Sequence, residues 1–167
     1  MNEVSTSQPN NLGTDAIVEV PSLAIPVAGF NLLLPTISVA EMVPYRKLRY
    51  LPAKKQAAGY LGRYEWRDQK VPLLSFEELN GLPRGEVSGY NQVAIINATG
   101  VDERLKYVAV IAQGIPHLIR VGTGDIEPYA DADELPYVKM TVVVSGEDAV
   151  IPDVASLEVK ALEHFES

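Results

Sequence analysis

The stretch from Gly59 to Gly81 reads GYLGRYEWRDQKVPLLSFEELNG and carries the strongest structural signal in the chain. Aromatic and branched residues fill Tyr64–Trp66 and Val71–Leu74, while Arg67–Lys70 between them is polar. Two apolar segments joined by a short polar one are typical of a β-hairpin. The segment Ser75–Leu79 then predicts a short helical turn that begins with a serine cap and ends at a glycine.

A second stretch, Val142–Val159, reads VVVSGEDAVIPDVASLEV and repeats this order of features. Both stretches contain an apolar strand, a polar turn, an apolar strand with an internal proline and the start of a helix. Pro72 and Pro152 fall at the same place in the two copies. Because a duplicated unit determines the topology of a domain, the repeat predicts an all-β protein of two similar halves, each about eighty residues long.

The other apolar runs predict further strands. They are Ser22–Val27, Phe30–Leu34, Val93–Asn97, Lys106–Ala112 and His117–Val121. The acidic segment Gly124–Pro136 is interpreted as a surface connection. The segment Ser156–Phe165 has apolar residues at helical spacing and predicts a short amphipathic helix. Glycines and prolines cluster between Asn80 and Tyr90, which predicts the boundary between the two halves.

Composition and charge limit the class of protein. The chain has 167 residues, a formal net charge of −8 and no cysteine, so disulfides and thiol chemistry are excluded. No basic surface for nucleic acid and no apolar run of the roughly twenty residues that cross a bilayer are present in the sequence. The polar start predicts a disordered tail over residues 1–17 and lacks the features of a signal peptide. These features fit a cytoplasmic protein that does not insert into membranes.

One basic cluster interrupts this acidic sequence. Its members are Arg46, Lys47, Arg49, Lys54 and Lys55. Such a cluster is interpreted either as a solvated loop or as a contact for an acidic partner.

Catalytic and metal-binding patterns are weak. The two histidines, His117 and His164, lie far apart in the sequence, in a predicted strand and in the predicted C-terminal helix. An acidic cluster lacks the spacing of a helix-loop-helix calcium site. Its members are Asp125, Glu127, Asp131, Asp133 and Glu134. We therefore expect no catalytic residue, no metal site and no cofactor, and a protein that is not an enzyme.

Five short motifs occur in a family-specific order. They are Val39-Ala40-Glu41, Leu51-Pro52, Glu65-Trp66-Arg67-Asp68, Val71-Pro72-Leu73-Leu74 and Asp125-Ile126-Glu127-Pro128. Each motif alone is weak, but their order over Ser22–Leu162 resembles the CheW-like coupling family of bacterial chemosensory systems. Glu65 and Asp68 stand where the family pattern has asparagine and glycine, and Ser75 stands where it has aspartate. With these departures, the chain looks closest to the divergent CheW-like proteins of pilus-type chemosensory systems, such as ChpC.

The resemblance implies a fold of two pseudo-symmetric, five-stranded SH3-like β-barrel subdomains with short helices. They form one CheW-like domain over residues 18–167, with subdomain 1 at about 18–82 and subdomain 2 at about 90–167, and the two can exchange strands. It also implies an adaptor that couples the cytoplasmic tip of a methyl-accepting chemoreceptor to the regulatory domain of a CheA-type histidine kinase. The pathway implied is type IV pilus or twitching motility.

Site residues carried over by position are Val39, Glu41 and Arg67 for receptor binding, with Glu65, Trp66 and Asp68 at the adjacent turn and its interface. Val39 can instead be an ordinary core residue, Arg67 can merely stabilise the turn, and Trp66 can be either a binding anchor or a core side chain. Two other functions stay open. One is a β-barrel that binds a small ligand or acts as a stand-alone regulator, and the other is a metal-dependent enzyme built on the acidic cluster.

Overall fold

A computed structural model describes residues 18–129 and 131–165. The predicted tail over residues 1–17 lies outside the described residues. The first six strands are β1 (Glu19–Val27), β2 (Phe30–Pro35), β3 (Val39–Pro44), β4 (Tyr50–Ala57), β5 (Tyr60–Trp66) and β6 (Gln69–Leu74), followed by helix α1 (Phe76–Leu79). The next six are β7 (Gln92–Asn97), β8 (Tyr107–Ala112), β9 (His117–Gly122), β10 (Ile126–Pro128), β11 (Val138–Val144) and β12 (Glu147–Pro152), followed by helix α2 (Val154–His164). Short 3-10 helices occupy Thr36–Ser38 and Lys47–Arg49.

The strands form two six-stranded sheets. Sheet 1 has the order β3-β7-β8-β6-β5-β4, and sheet 2 has the order β9-β1-β2-β12-β11-β10. Neighbouring strands are antiparallel except for one parallel pair in the middle of each sheet, β6 with β8 and β12 with β2. Strands β1 to β6 of the first half take the same places in these orders as β7 to β12 of the second half, each strand corresponding to the one six numbers later. The repeat detected in the sequence is therefore a structural repeat.

Each sheet combines strands from both halves of the chain. The opening hairpin of the first half, β1–β2, pairs with β9 and β12 of the second half. The opening hairpin of the second half, β7–β8, pairs in the same way with β3 and β6 of the first half. The division into subdomains at about 18–82 and 90–167 stays a prediction.

The resemblance implies five strands in each barrel, and each sheet has six. The two additional strands are β4 and β10, which are equivalent in the repeat. β4 contains Leu51-Pro52 and the lysines Lys54 and Lys55, so these lysines lie in an edge strand; of the two interpretations of the basic cluster, the solvated loop does not apply to them. β10 lies inside Gly124–Pro136, the segment expected to be a surface connection. Both strands escape a pattern search because proline and charge interrupt their apolar alternation.

The two equivalent hairpins turn through residues with positive φ. Arg67 and Asp68 have φ of 48° and 61°, and Ser145 and Gly146 have φ of 52° and 78°. Two-residue hairpin loops of this kind match the twist of the flanking strands. The first loop is two residues long, whereas the sequence predicts four, because Gln69 and Lys70 already pair with β5. Ser75 accepts a hydrogen bond from the Glu78 amide, which confirms the predicted cap of α1.

Strands in the middle of each sheet are buried on both faces. Along β7, Val93 and Ile95 join a cluster inside sheet 1, while Ala94 and Ile96 join a central cluster shared with sheet 2. Leu157 of α2 belongs to the same central cluster. A third cluster fills sheet 2. The continuous apolar runs of β7 and β8 follow from this double burial, which is more familiar from parallel sheets than from half-exposed antiparallel ones.

Two fully buried glutamates connect the sheets. Glu77 of α1, the helix after β6 of sheet 1, accepts a hydrogen bond from the Ala28 amide at the tip of hairpin β1–β2 in sheet 2 (2.9 Å). Glu158 of α2, which follows sheet 2, binds the β7–β8 loop in sheet 1. Its carboxylate accepts from the Thr99 amide (2.8 Å), the Thr99 hydroxyl (2.6 Å) and the Val101 amide (3.3 Å). The Glu158 carboxylate therefore accepts hydrogen bonds from three donors, and a buried charge requires such partners.

Replacing Glu158 with alanine should lower the free energy of unfolding by about 1 to 3 kcal/mol, because the three hydrogen bonds that join the buried carboxylate of α2 to the β7–β8 loop are lost. Chemical denaturation followed by circular dichroism measures the change. Glu163→Ala, on the exposed face of the same helix, is the matched control and should change stability by no more than about 0.5 kcal/mol. Equal stability of the two variants would contradict this role for Glu158.

Candidate functional site

Glu41, Trp66 and Arg67 meet at one end of sheet 1. Glu41 lies in β3, at one edge of the sheet, whereas Trp66 ends β5 and Arg67 begins the turn to β6. Three other strands separate β3 from β5 in the sheet order. The contact therefore exists because sheet 1 curls until its two edges approach each other, which is how a barrel closes.

The geometry of this cluster is defined by one carboxylate oxygen. Oε1 of Glu41 accepts a hydrogen bond from Trp66 Nε1 at 2.9 Å and lies 3.1 Å from Arg67 Nη2. The Arg67 guanidinium also lies over the Trp66 ring, 5.0 Å from its centroid. The Arg67 side chain is 68% exposed. Exposed ion pairs contribute about 0 to 1 kcal/mol to the free energy of unfolding. The contact therefore stabilises the fold only slightly, and its main effect is to orient Arg67 toward solvent.

Trp66 is mainly a core residue. Its side chain is 6% exposed and packs edge-on against Tyr107, with the ring centroids 4.8 Å apart. Only the indole N–H reaches the rim, where Glu41 accepts its hydrogen bond. A buried indole fixed on both sides provides a rigid platform for the guanidinium above it.

Val39 lies on the other face of β3. The pairing of β3 with β7 shifts between Val39 and Glu41, so that Val39 is opposite Ile96 and Glu41 is opposite Ile95. Opposite residues share a face, which places Val39 with the central cluster and Glu41 with the barrel interior. Strict alternation would put residues 39 and 41 on one face, and the bulge explains why they separate.

Beside the cluster lies a depression of about 450 Å³, which we call the rim depression. Glu65 and Asp68, both predicted as turn or interface residues, line it together with Arg46 and Arg49. The two arginines come from the connection between β3 and β4. The sequence analysis grouped them with the basic cluster and did not connect them with this site, because the contact depends on the curl of the sheet.

A tyrosine cluster holds the connection between β3 and β4 in place. The Tyr64 hydroxyl donates to the Pro44 carbonyl (3.0 Å) and accepts from the Arg46 amide (2.8 Å). The Tyr45 ring lies 6.0 Å from that of Tyr64 and 6.2 Å from that of Tyr50. Burial, followed by the neighbouring Tyr50 and Tyr64 phenols, raises the pKa of Tyr45 above its ordinary value. The Tyr45 hydroxyl therefore stays protonated at neutral pH.

The residues considered for catalysis or metal binding have other surroundings. His117 is exposed at the start of β9, and the His164 ring at the end of α2 lies 5.0 Å from the ring of Tyr60. The Asp125 carboxylate accepts a hydrogen bond from the Gly122 amide (2.7 Å) and so closes the β9–β10 turn. Within residues 18–129 and 131–165, no group of three or more potential ligands is close enough to hold a metal ion.

The helices are also too short to be membrane spans. Neither α1 nor α2, nor any other helix in the described residues, has the length and apolar character needed to cross a bilayer.

Comparison with known families matches residues 22–160 to the CheW-like domain. The chain belongs to the CheW-like family. A solved structure, the scaffolding protein TtCheW from Thermoanaerobacter tengcongensis, matches with a TM-score of 0.65 and 14% sequence identity. The match covers 81% of this chain and 89% of TtCheW. Comparison with curated protein sequences finds no match. The all-β CheW fold of two SH3-like barrel subdomains is thereby confirmed, as is the predicted family.

CheW-like domains are scaffold or adaptor domains in chemotaxis systems. In this CheW-like chain the cluster of Glu41, Trp66 and Arg67 occupies the open end of the sheet 1 barrel. The pilus-type subgroup and the roles of individual residues stay predictions.

Glu41→Ala should lower the free energy of unfolding by about 1 to 2 kcal/mol, because the buried Trp66 N–H loses its acceptor. Glu41→Gln retains a carbonyl acceptor for the indole while losing the charge that faces Arg67. It should stay within about 0.5 kcal/mol of the wild type. Urea unfolding followed by the emission of Trp66, the single tryptophan, measures both variants. Equal destabilisation by the two would show that the ion pair, and not the indole hydrogen bond, stabilises the rim.

Proposed function

We propose that the protein is a cytoplasmic adaptor that couples the cytoplasmic tip of a methyl-accepting chemoreceptor to the regulatory domain of a CheA-type histidine kinase. Membership of the CheW-like family over residues 22–160 supports the coupling role. The resemblance implies a kinase regulatory domain with a similar barrel fold. The two barrels can then pair through surface contacts alone, without a chemical reaction. A bridging protein raises the effective concentration of kinase at the receptor.

The observation that carries the proposal is the fixed position of Arg67. A guanidinium that is 68% exposed, and held from below by both a carboxylate and an indole, is presented to a partner with little loss of side-chain entropy. Arg and Trp are also the residue types that dominate binding energy at protein interfaces. Glu65 and Asp68 surround this arginine with acidic groups at the rim depression. A receptor with a complementary mixed-charge surface fits this arrangement.

Val39 contributes in a different way. It packs against the central cluster, between the two sheets, on the face of β3 that does not carry Glu41. In our proposal the receptor tip contacts both the groove beside Val39 and the barrel end at Arg67, so β3 is the strand that joins the two parts of the receptor site.

The pathway is the most specific part of the proposal. We assign the protein to a type IV pilus or twitching-motility pathway because Glu65 and Asp68 replace the asparagine and glycine of the family turn. Both substitutions are at the rim depression, and both add negative charge where the usual pattern is neutral. A changed charge beside Arg67 alters which partner is accepted, since mismatched charges at an interface suppress the wrong partner.

A small-ligand-binding barrel is the second candidate. A depression of about 370 Å³ supports it, with Leu73 and Ile111 as an apolar floor, Tyr45 and Tyr50 as aromatic walls and Arg84 at the side. Pockets of this size and mixture of groups are within the range that binds small molecules. A ligand of this site would raise the melting temperature of the purified protein, whereas the adaptor requires no such ligand.

Arg67→Ala should weaken binding to a receptor-tip fragment about tenfold or more and leave binding to the kinase regulatory domain within about twofold. Titration calorimetry with each purified partner measures both affinities. Arg120→Ala, an exposed arginine on β9 in sheet 2, is the matched control and should change neither. Partners from a pilus-type system should bind at least about tenfold more tightly than flagellar-type ones, as rejection by charge predicts.

Failure of the wild type to bind either partner would contradict the coupling role and favour the small-ligand barrel. Equal loss of receptor binding in the Arg67 and Arg120 variants would contradict the placement of the receptor site. Equal affinity for pilus-type and flagellar-type partners would contradict only the pathway.

A further inference from the structure

A third depression, which we call the basic depression, lies between β4 and the end of α2. Its volume is about 340 Å³. The register of β4 against β5 shifts between Pro52 and Ala57, so the middle of β4 departs from regular pairing and forms one wall. Tyr60 and Gly62 of β5 are at the floor, and His164 of α2 is on the opposite side.

Gly62 is required for this shape. Its φ is +140°, and a Cβ at this position would lie 2.1 Å from the Leu51 carbonyl oxygen and 2.7 Å from the Ala53 amide nitrogen. Any side chain at this position would therefore push β4 away from β5. The irregular pairing of β4 is therefore built into the packing of the barrel. It fixes the path of the β4 backbone along the basic depression.

The basic depression concentrates positive charge. Lys54, Lys55 and Arg63 line it with His164, and none of the described lining residues is acidic. The whole chain has a formal net charge of −8, so this is a local reversal of the overall sign. Like charges gathered around one concave surface repel each other, and an anion placed among them relieves that repulsion.

Arg63 is held in position by contacts with the C-terminal helix. Its guanidinium donates a hydrogen bond to the Phe165 carbonyl oxygen and lies over the Phe165 ring, 5.3 Å from the centroid. Burial raises the pKa of the Tyr60 hydroxyl, and the Arg63 guanidinium partly offsets this rise. The floor of the basic depression is therefore ordered, while Lys54 and Lys55 on the β4 wall are exposed.

We infer that the basic depression binds an acidic peptide segment of a partner protein. Carboxylate side chains of the segment pair with Lys54 and Lys55 and approach Arg63, which also lines the depression. An extended peptide fits better than a compact anion, because five consecutive residues of β4, Leu51 to Lys55, line the depression, and the pairing of β4 with β5 becomes irregular after Pro52. This inference concerns a different surface from the rim depression and does not depend on the proposed coupling role.

A fluorescently labelled hexaglutamate peptide with blocked ends tests the inference in the full-length protein. Anisotropy titrations at low and at physiological ionic strength should show binding that weakens as salt rises, since exposed charge pairs are screened. The acidic remainder of the protein repels this peptide, so general attraction to the surface does not explain binding.

The double variant Lys54→Glu with Lys55→Glu should weaken peptide binding at least about tenfold, because two attractive contacts become repulsive. The matched control is Lys106→Glu with Lys139→Glu, which makes the same change in net charge at exposed positions away from the basic depression. It should weaken binding by no more than about twofold. Circular dichroism confirms that both double variants are folded.

Three results would overturn the inference. Equal weakening in the two double variants would show an effect of net charge alone. Inorganic phosphate binding as tightly as the peptide would show that the site takes a small oxyanion. Absence of peptide binding by the wild type would show that Lys54 and Lys55 serve only to keep an edge strand from pairing with other chains.

Discussion

Two buried carboxylates fix how the halves of this molecule combine. Glu77 and Glu158 lie in the helices that follow the equivalent strands β6 and β12, and each binds the hairpin tip that belongs to the other sheet. Loss of either carboxylate removes the hydrogen bonds that tie a helix to the exchanged hairpin, so these contacts hold the hairpins and the helices together. The double burial of β7 and β8 depends on this arrangement, because it is the second sheet that covers their outer faces.

The position of the candidate site follows from the closure of sheet 1. Glu41 and Trp66 are at strands far apart in the sheet order, and they meet only because the curled sheet brings its edges together. The same curl brings Arg46 and Arg49 beside the Arg67 turn. A rigid barrel end with a central, oriented arginine suits a scaffold, because a pre-organised surface loses little entropy on binding.

The sequence predicted those features that depend on short segments. The hairpin at Tyr64–Leu74 and its repeat followed from local alternation and turn chemistry, and the CheW-like family followed from the order of motifs. The strand β4 was missed because Pro52 and its lysines break the apolar pattern. The bulge that separates Val39 from Glu41 gives no signal in an alternating sequence. Glu158 has the pattern of an ordinary helix residue, and only the packed structure shows it buried against Thr99.

The central claim is that this protein joins receptor to kinase, and joint assembly tests it most directly. Receptor fragment immobilised on beads is mixed with the full-length kinase, with and without the protein, and kinase retained on the beads is measured. Our account predicts that kinase retention requires the protein and passes through a maximum as its concentration rises, because excess adaptor occupies each partner separately. Kinase retention that is the same with and without the protein would contradict the account.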